Sequence, residues 1–280
     1  MTHFRTLYIG HDPEEDFAPY CEQDGRYFRP VDHTKDLRAD YKKYGKEYRK
    51  NGKAKNIVKF AKIWYGIDTV VDKASLAPAL FASLVNKLNA MHKRHIIANG
   101  TRLVKVTDYY NPDAKYDYYS KEENITADFK PEEMLEKARE NRRNFYRKVV
   151  GILGHQPQFT SFEEVIEQVE EEQGGRGENF FDEVGDRYWE QPDIKVLDNN
   201  GIRVDADIRC SEEEYVAKAS LPFCAIVTDK GWFEEATNGM WGMTIGPVMD
   251  GKDWAELQML VIKDALQNPL NKVWLCDCHI

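Results

Sequence analysis

Hydrophobic and polar positions along the chain follow two different periods. Residues 4–10 alternate with a period of two, which is typical of a strand, and Asp12 followed by Pro13 then favours the start of a helix. Apolar positions at helical spacing predict three further helices in the first third of the chain, over 36–50, 56–65 and 74–94.

Turn and helix-start signals predict the elements that follow. An Asn-Gly pair favours a two-residue turn, so 95–107 is expected to form a hairpin. A leading proline and an acidic-to-basic order of charges predict a helix over 131–153, and a capping pattern predicts another over 161–173. Turns rich in Asp, Asn and Gly predict two more hairpins, over 194–208 and 223–236.

The end of the chain is expected to form an amphipathic helix over 253–267 and a last strand over 272–278. Together these elements predict an α+β fold with a mixed or antiparallel sheet that includes both terminal strands, and with a helical insertion. The glycine cluster at 174–177 is the expected hinge. It lacks the Lys and the Ser or Thr of a phosphate-binding loop.

Three regions are expected on this basis. Residues 1–130 form an N-terminal α+β region with the hairpin 95–107, residues 131–192 form a helical, acidic segment, and residues 193–280 form a β-rich module with one helix.

Length and composition favour a globular protein and disfavour a membrane-spanning or exported one. A chain of 280 residues with 42% hydrophobic residues is long enough to form a real core. Its apolar runs are shorter than the roughly 20 residues that a bilayer crossing needs, and its start lacks the layout of a signal peptide, so no membrane association is expected. Five cysteines in a chain without an export signal favour reduced thiols.

Charge is unevenly distributed along the chain, whose net charge is −9. The stretch 35–62 has eleven Lys or Arg against three acids, and 163–193 has twelve acids against two Arg. A basic block attracts phosphates, whereas an acidic block, here including Glu170, Glu171 and Glu172, fits a basic groove on a partner. The alternative is that each block is only the solvated face of a helix.

The last strand contains side chains that could perform chemistry. In a strand, Cys276 and Cys278 point to one side and His279 to the other. Two core cysteines are the favoured interpretation, ahead of a thiol or disulfide role, and no metal is expected because further ligands would have to come from His11, Cys210 or Cys224.

Both termini contain possible acid–base groups. If the terminal strands are neighbours, His11 and Asp12 would join Asp277 and His279, with His3 close by, in an acid–base cluster. The alternative is an exposed histidine at each end of a sheet.

Aromatic residues offer candidate contact surfaces. Tyrosines interleaved with lysines could stack on bases or form a protein-binding hot spot; they are Tyr109, Tyr110, Tyr116, Tyr118 and Tyr119. The alternative is that alternate tyrosines are half buried and form no contact surface. Trp241 could lie either on a contact surface or buried in the core. The sequence contains no G-x-S-x-G, HExxH, Walker or CxxC motif, which disfavours the enzyme classes that those motifs mark.

Several motifs occur in a fixed order from end to end. They are Thr-His-Phe at 2–4, Ala-Pro-Tyr at 18–20, Asn-Pro-x-x-Lys-Tyr-Asp-Tyr-Tyr at 111–119, Gly-Met-Trp-Gly-Met at 239–243 and Asp-Cys-His-Ile at 277–280. In these motifs the chain resembles a family of uncharacterised accessory proteins of tailed bacteriophages. It departs from that family at 120–124, where Ser-Lys-Glu-Glu-Asn replaces a Gly-Gly-Arg-Trp turn.

The resemblance implies a phage-encoded, non-catalytic inhibitor that binds and blocks a nuclease-type bacterial antiviral defence complex in the host cytoplasm, as inhibitors of the Gabija complex do. Its tyrosine and acidic segments would face the partner's DNA-binding surface, with self-association into a homo-oligomer and no cofactor. One alternative is a phage enzyme that acts on a nucleotide or a host protein through the terminal His and Asp residues. The other is a nucleic-acid-binding accessory protein using 35–62, which the net negative charge disfavours.

Overall fold

The alternating pattern at both ends of the chain produces two long strands that pair with each other. The computed structural model describes residues 3–177, 179–238 and 244–279. The strands of these ranges are β1 His3–Gly10, β2 Arg29–Asp32, β3 Val70–Asp72, β4 His95–Asn99, β5 Arg102–Tyr110, β6 Tyr118–Asn124, β7 Ala225–Thr228, β8 Gly231–Glu234, β9 Ala236–Asn238, β10 Thr244–Val248 and β11 Lys272–His279.

Helices occupy most of the chain between the strands. The α-helices of the described ranges are α1 Pro13–Phe17, α2 Thr34–Lys50, α3 Ile57–Trp64, α4 Pro78–Ala90, α5 Pro131–Leu153, α6 Phe162–Gln173, α7 Phe180–Trp189, α8 Pro192–Asn199, α9 Glu212–Ala217 and α10 Gly251–Ala265. None of them is long and apolar enough to cross a membrane.

The main sheet has the strand order β6-β11-β1-β7-β8. β1 pairs antiparallel with β11 along its whole length, from His3 opposite His279 to Gly10 opposite Lys272, and parallel with β7. The chain leaves this sheet after β6, forms α5 to α9, and returns in β7. The prediction of an α+β fold is therefore confirmed, with a mixed sheet that includes both terminal strands and with a helical insertion.

The period of two in the terminal strands gives the main sheet two buried faces. Leu7 and Val273 lie on one face, in a core completed by Trp254 and Ile262 of α10. Tyr8 and Phe17 lie in the core of the other face, together with both cysteines of β11. Alternate residues of one strand therefore belong to different cores.

A second sheet has the order β2-β5-β4-β3. Leu37 of α2 and Phe60 of α3 pack against Ile96 and Val106 of its central strands. β4 and β5 form the hairpin expected from the Asn-Gly pair, with Gly100 at a φ of 58°. The hairpin is confirmed, but its turn consists of Gly100 and Thr101, because Asn99 pairs with Arg102 as the last residue of β4. Gly100 adopts the positive φ of the turn without strain.

The helical insertion has cores of its own. Val149 of α5 packs with Ile194 and Leu197 of α8, and Val169 of α6 packs with Val184 of α7. The predicted helix over 161–173 forms as α6, and Ser161 and Glu164 close a capping box at its start.

The predicted hairpin over 194–208 is wrong, because this stretch contains α8 and a 3₁₀ turn and is followed by α9. Ile194 and Leu197 lie three residues apart on the buried face of a helix that begins at Pro192. Gly201, at a φ of 66°, follows the end of that helix, where the amide of Ile202 bonds to the carbonyl of Leu197. Region 193–280 thus contains more than the single helix expected, whereas the hairpin over 223–236 is confirmed as β7 and β8.

Replacing Trp254 by Ala is expected to lower the free energy of unfolding by about 3–5 kcal/mol, because this buried side chain fills the core between α10 and β1. Urea denaturation measures the change. Leu260→Ala, on the same helix but 66% exposed, is the control and should change stability by less than about 0.5 kcal/mol. Equal losses in both variants would contradict this placement of the core.

Candidate functional site

The terminal strands bring two histidines and an aspartate together on one face of the main sheet. His3 lies directly opposite His279, and Asp277 precedes His279 by two positions, so all three side chains point to the same face. Oδ2 of Asp277 is 2.8 Å from Nδ1 of His3 and 3.1 Å from Nε2 of His279. We call these three residues the terminal cluster.

The two imidazoles of the terminal cluster are in contact but differ in exposure. Their ring centroids are 3.8 Å apart, His3 is exposed, and His279 is 6% exposed. The ring of Tyr118 stacks on His279 at 3.9 Å with an interplanar angle of 17°. Nδ1 of His279 is buried and has no hydrogen-bond partner in the described part of the protein.

His11 and Asp12 do not belong to this cluster, so the predicted acid–base group is wrong in those two members. His11 follows the far end of β1, and eight steps of about 3.3 Å separate it from His3 by roughly 26 Å. The carboxylate of Asp12 instead caps α1, where it accepts hydrogen bonds from the amides of Glu14 and Glu15. Of the expected group, Asp277 and His279 do lie together, and His3 is their partner.

Both cysteines of β11 are completely buried. Burial raises the pKa of the Cys276 thiol and of the Cys278 thiol to about 12, so both are held as neutral thiols at ordinary pH. They point away from the terminal cluster, as strand alternation predicts, and pack with Tyr8 and Phe17. This geometry fits the interpretation of Cys276 and Cys278 as core cysteines.

The five tyrosines of the segment 109–119 differ in burial. Tyr109 and Tyr116 are buried, and their hydroxyls donate to Asn89 and to the carbonyl of Phe17. Tyr119 stacks on Phe17 at 4.2 Å. The remaining members are Tyr110, which stacks on His33, and Tyr118, which is 50% exposed and covers His279. The prediction that all five tyrosines face a partner is wrong, because Tyr109 and Tyr116 are buried.

The predicted acidic residues lie at the end of α6, next to α7. Glu170 pairs with Arg176 at 3.0 Å and Glu172 pairs with Arg187 at 2.7 Å, while Glu171 is exposed. We call the exposed side chains of α6 and α7 the acidic helical surface. Trp241, the remaining candidate contact residue, lies outside the described residues.

A basic surface lies on a different part of the chain. Arg38, Lys42, Lys46 and Arg49 of α2 are exposed. Among the described residues, no carboxylate lies within 4.0 Å of any Lys or Arg between 35 and 59. We call the exposed side chains of α2, α3 and their connection the basic helical surface. The Lys and Arg side chains of this surface can therefore bind an external anion.

A groove of about 680 Å³ lies between α5, α9 and α10. Its lining mixes apolar side chains such as Leu135 and Met259 with charged ones such as Arg143 and Glu212. The terminal cluster does not line it, so the groove and the candidate acid–base groups are separate features.

Two carboxyl groups near the start of β6 share a hydrogen bond. The hydrogen bond to Asp117 and the partial burial of the site raise the pKa of Glu22 to about 7. The amide of Asp117 in turn donates to the carbonyl of His279 at 2.8 Å, so the pair adjoins the terminal cluster through the backbone. Sequence reasoning missed this pair, because no local pattern connects positions 95 residues apart.

Comparisons with known proteins return no match. No family model matches the chain, and neither a curated protein nor a solved structure is found that is significantly similar to it. The phage resemblance therefore stays an expectation based on sequence motifs.

Replacing Glu22 by Gln is expected to stabilise the protein at pH 8 and to leave its stability unchanged near pH 4.5. A carboxyl whose pKa is raised in the folded state stabilises the fold below its unfolded pKa and loses that contribution as the pH rises through about 7. The Gln amide keeps a hydrogen bond to Asp117 and carries no charge to lose.

Urea denaturation at both pH values measures this difference between variant and wild type. Glu140→Gln, an exposed glutamate of α5, is the control and should show no such pH dependence. A difference for Glu22→Gln that is the same at both pH values would contradict the shared hydrogen bond.

Proposed function

We propose that the chain is a non-catalytic binding protein whose acidic helical surface occupies a basic, nucleic-acid-binding surface of a partner protein. The observation that carries this proposal is a set of carboxylates without cations. Five exposed acids have no Lys, Arg or His within 4.0 Å in the described part of the chain; they are Glu163, Glu167, Glu171, Asp182 and Asp186.

Exposed aromatic side chains accompany these carboxylates. Phe181 is 64% exposed, Trp189 is 45% exposed and Phe162 is 38% exposed. Along α7, Asp182, Asp186 and Trp189 follow the spacing i, i+4 and i+7, which places them on one face. An aromatic anchor with charged neighbours is typical of the residues that dominate protein–protein binding energy.

The charge of this surface suits a partner that binds phosphates. Carboxylates spaced along a helix pair can contact the Lys and Arg side chains that otherwise hold a nucleic-acid backbone. Such an interface gains association rate and specificity from electrostatic complementarity and weakens at high salt, where the Debye length falls to about 3 Å. Blocking of the partner's substrate site requires no chemistry from the bound protein.

The class of partner follows from the phage resemblance. A phage protein that covers a nucleic-acid-binding surface in the host cytoplasm would protect phage DNA by disabling a nuclease-type antiviral defence complex. Self-association would add avidity, because a second acidic helical surface on the same particle binds at high effective concentration.

The basic helical surface favours a second candidate function. Its unpaired Lys and Arg side chains lie beside Tyr44 and Trp64, whose rings stack at 5.2 Å. Basic and aromatic side chains together are used to bind single-stranded nucleic acid. A steep salt-dependent mobility shift of DNA that is lost on charge reversal within α2 would support this alternative.

The enzyme alternative has less support from the geometry. It relied on an acid–base cluster that includes both His11 and His279, and the register of β1 with β11 separates these two residues. The buried, high-pKa thiols of β11 supply no nucleophile.

Reversing three charges on the acidic helical surface is expected to reduce partner capture by about tenfold or more. The variant is Glu167→Lys with Glu171→Lys and Asp186→Lys, none of which has an ion pair to lose among the described residues. Capture is measured by pull-down from lysate of bacteria that carry a nuclease-type defence complex, with the bound nuclease subunit quantified by mass spectrometry at about 0.1 M and about 1 M salt.

The matched control reverses three exposed glutamates elsewhere, in Glu123→Lys with Glu140→Lys and Glu256→Lys, and so has the same net charge. The control should capture the nuclease as the wild type does at low salt. Equal capture by the control and the acidic-surface variant, or capture that high salt leaves unchanged, would count against the proposal.

A further inference from the structure

The terminal cluster has the composition and spacing of a transition-metal site. His3, Asp277 and His279 each offer one ligand atom, and these atoms all lie within 4.8 Å of one another. We propose that the cluster binds one divalent ion of the zinc class, which joins the first and the last strand of the main sheet.

The distances within the cluster are close to those that a bound metal imposes. Zinc bonds of about 2.0–2.2 Å to nitrogen and oxygen hold neighbouring ligand atoms roughly 3 to 3.5 Å apart. The two measured distances from Oδ2 of Asp277 are 2.8 Å to His3 and 3.1 Å to His279. Only small side-chain movements would therefore open the cluster to an ion.

The donor set selects the class of metal. Two imidazoles with one carboxylate suit zinc, iron, cobalt and similar ions, whereas magnesium and calcium prefer oxygen ligands alone. Three protein ligands leave at least one coordination position for water. Because His3 is exposed, that position would face solvent.

The buried member of the cluster is held in place before any ion binds. His279 is 6% exposed, contacts His3 on one side and is covered by the ring of Tyr118 on the other. In the described structure, the polar contact of its ring is the one to Asp277, since its other nitrogen has no partner. Its Nε2 faces Asp277 and is the atom positioned to bind an ion, and the contacts with the rings of His3 and Tyr118 fix its orientation.

The carboxylate of the cluster is available to a metal. Arg5 lies opposite Asp277 in the strand register, yet among the described side chains the ion-pair partners of Asp277 are the two imidazoles alone. Oδ2 of Asp277 thus contacts both imidazoles, which also contact each other. A divalent cation bound by the carboxylate and the two imidazoles would stabilise this arrangement.

Binding should be measured by isothermal titration calorimetry of Zn²⁺ into the full chain, without an affinity tag and after chelator treatment. We expect one ion per chain with a dissociation constant of about 1 µM or below, and no binding of Mg²⁺ under the same conditions. Zn²⁺ should also raise the melting temperature, because an ion that binds only the folded state stabilises it.

Single substitutions identify the ligands. His3→Gln should weaken Zn²⁺ binding at least about tenfold and abolish the rise in melting temperature, and Asp277→Asn should do the same. His11→Gln is the matched control, since His11 is an exposed histidine next to the other end of the same strand. Cys224→Ser removes an exposed thiol that could bind zinc unspecifically, and it should leave binding intact.

The expected result is normal binding by the His11→Gln and Cys224→Ser variants and loss in His3→Gln. Because His3 is exposed, its variant is expected to fold even if Asp277→Asn does not. The absence of saturable binding to the wild type, or binding that survives His3→Gln, would overturn the proposal. Visible absorption of the Co²⁺-loaded protein, lost in His3→Gln, provides an independent readout of imidazole ligation.

Discussion

The antiparallel pairing of β1 with β11 is the constraint on which the main sheet depends. It joins the two ends of the chain over eight residues of each strand, at a loop-closure cost that grows only slowly with the length of the chain between them. Side chains of these two strands enter both cores, so a slip by one residue would exchange Leu7 and Val273 with Tyr8 and the cysteines of β11. The same register places His3 opposite His279.

The sequence predicts elements well where burial follows a simple period. The terminal strands alternate because each contacts a different core on each side, and the Asn-Gly hairpin forms because glycine at 100 adopts positive φ. Prediction fails at 194–208, where a glycine with positive φ fits both a hairpin turn and the end of a helix. The helix is favoured over the hairpin because Ile194 and Leu197, three residues apart, are both buried in the core with α5.

The candidate site is predictable only in part, for the same physical reason. Strand alternation already places Asp277 and His279 on one side and the cysteines on the other. The partner of His279 depends on a register between chain ends, which no local pattern contains. Likewise, the burial of Tyr109 involves a contact with Asn89 of α4, and the burial of Tyr116 involves a contact with Phe17. The shared hydrogen bond of Glu22 with Asp117 also joins residues that are far apart in the sequence.

The three candidate binding features lie on elements with separate cores. The acidic helical surface rests on the core of α6 and α7, the basic helical surface rests on α2 and α3, and the terminal cluster belongs to the main sheet. Surface charges on α6 and α7 can therefore change without disturbing the sheet. A metal ion that joins β1 to β11 would stabilise the main sheet without taking part in partner binding. Because distant sites without shared contacts act nearly additively, the binding and metal proposals can be tested, and can fail, independently.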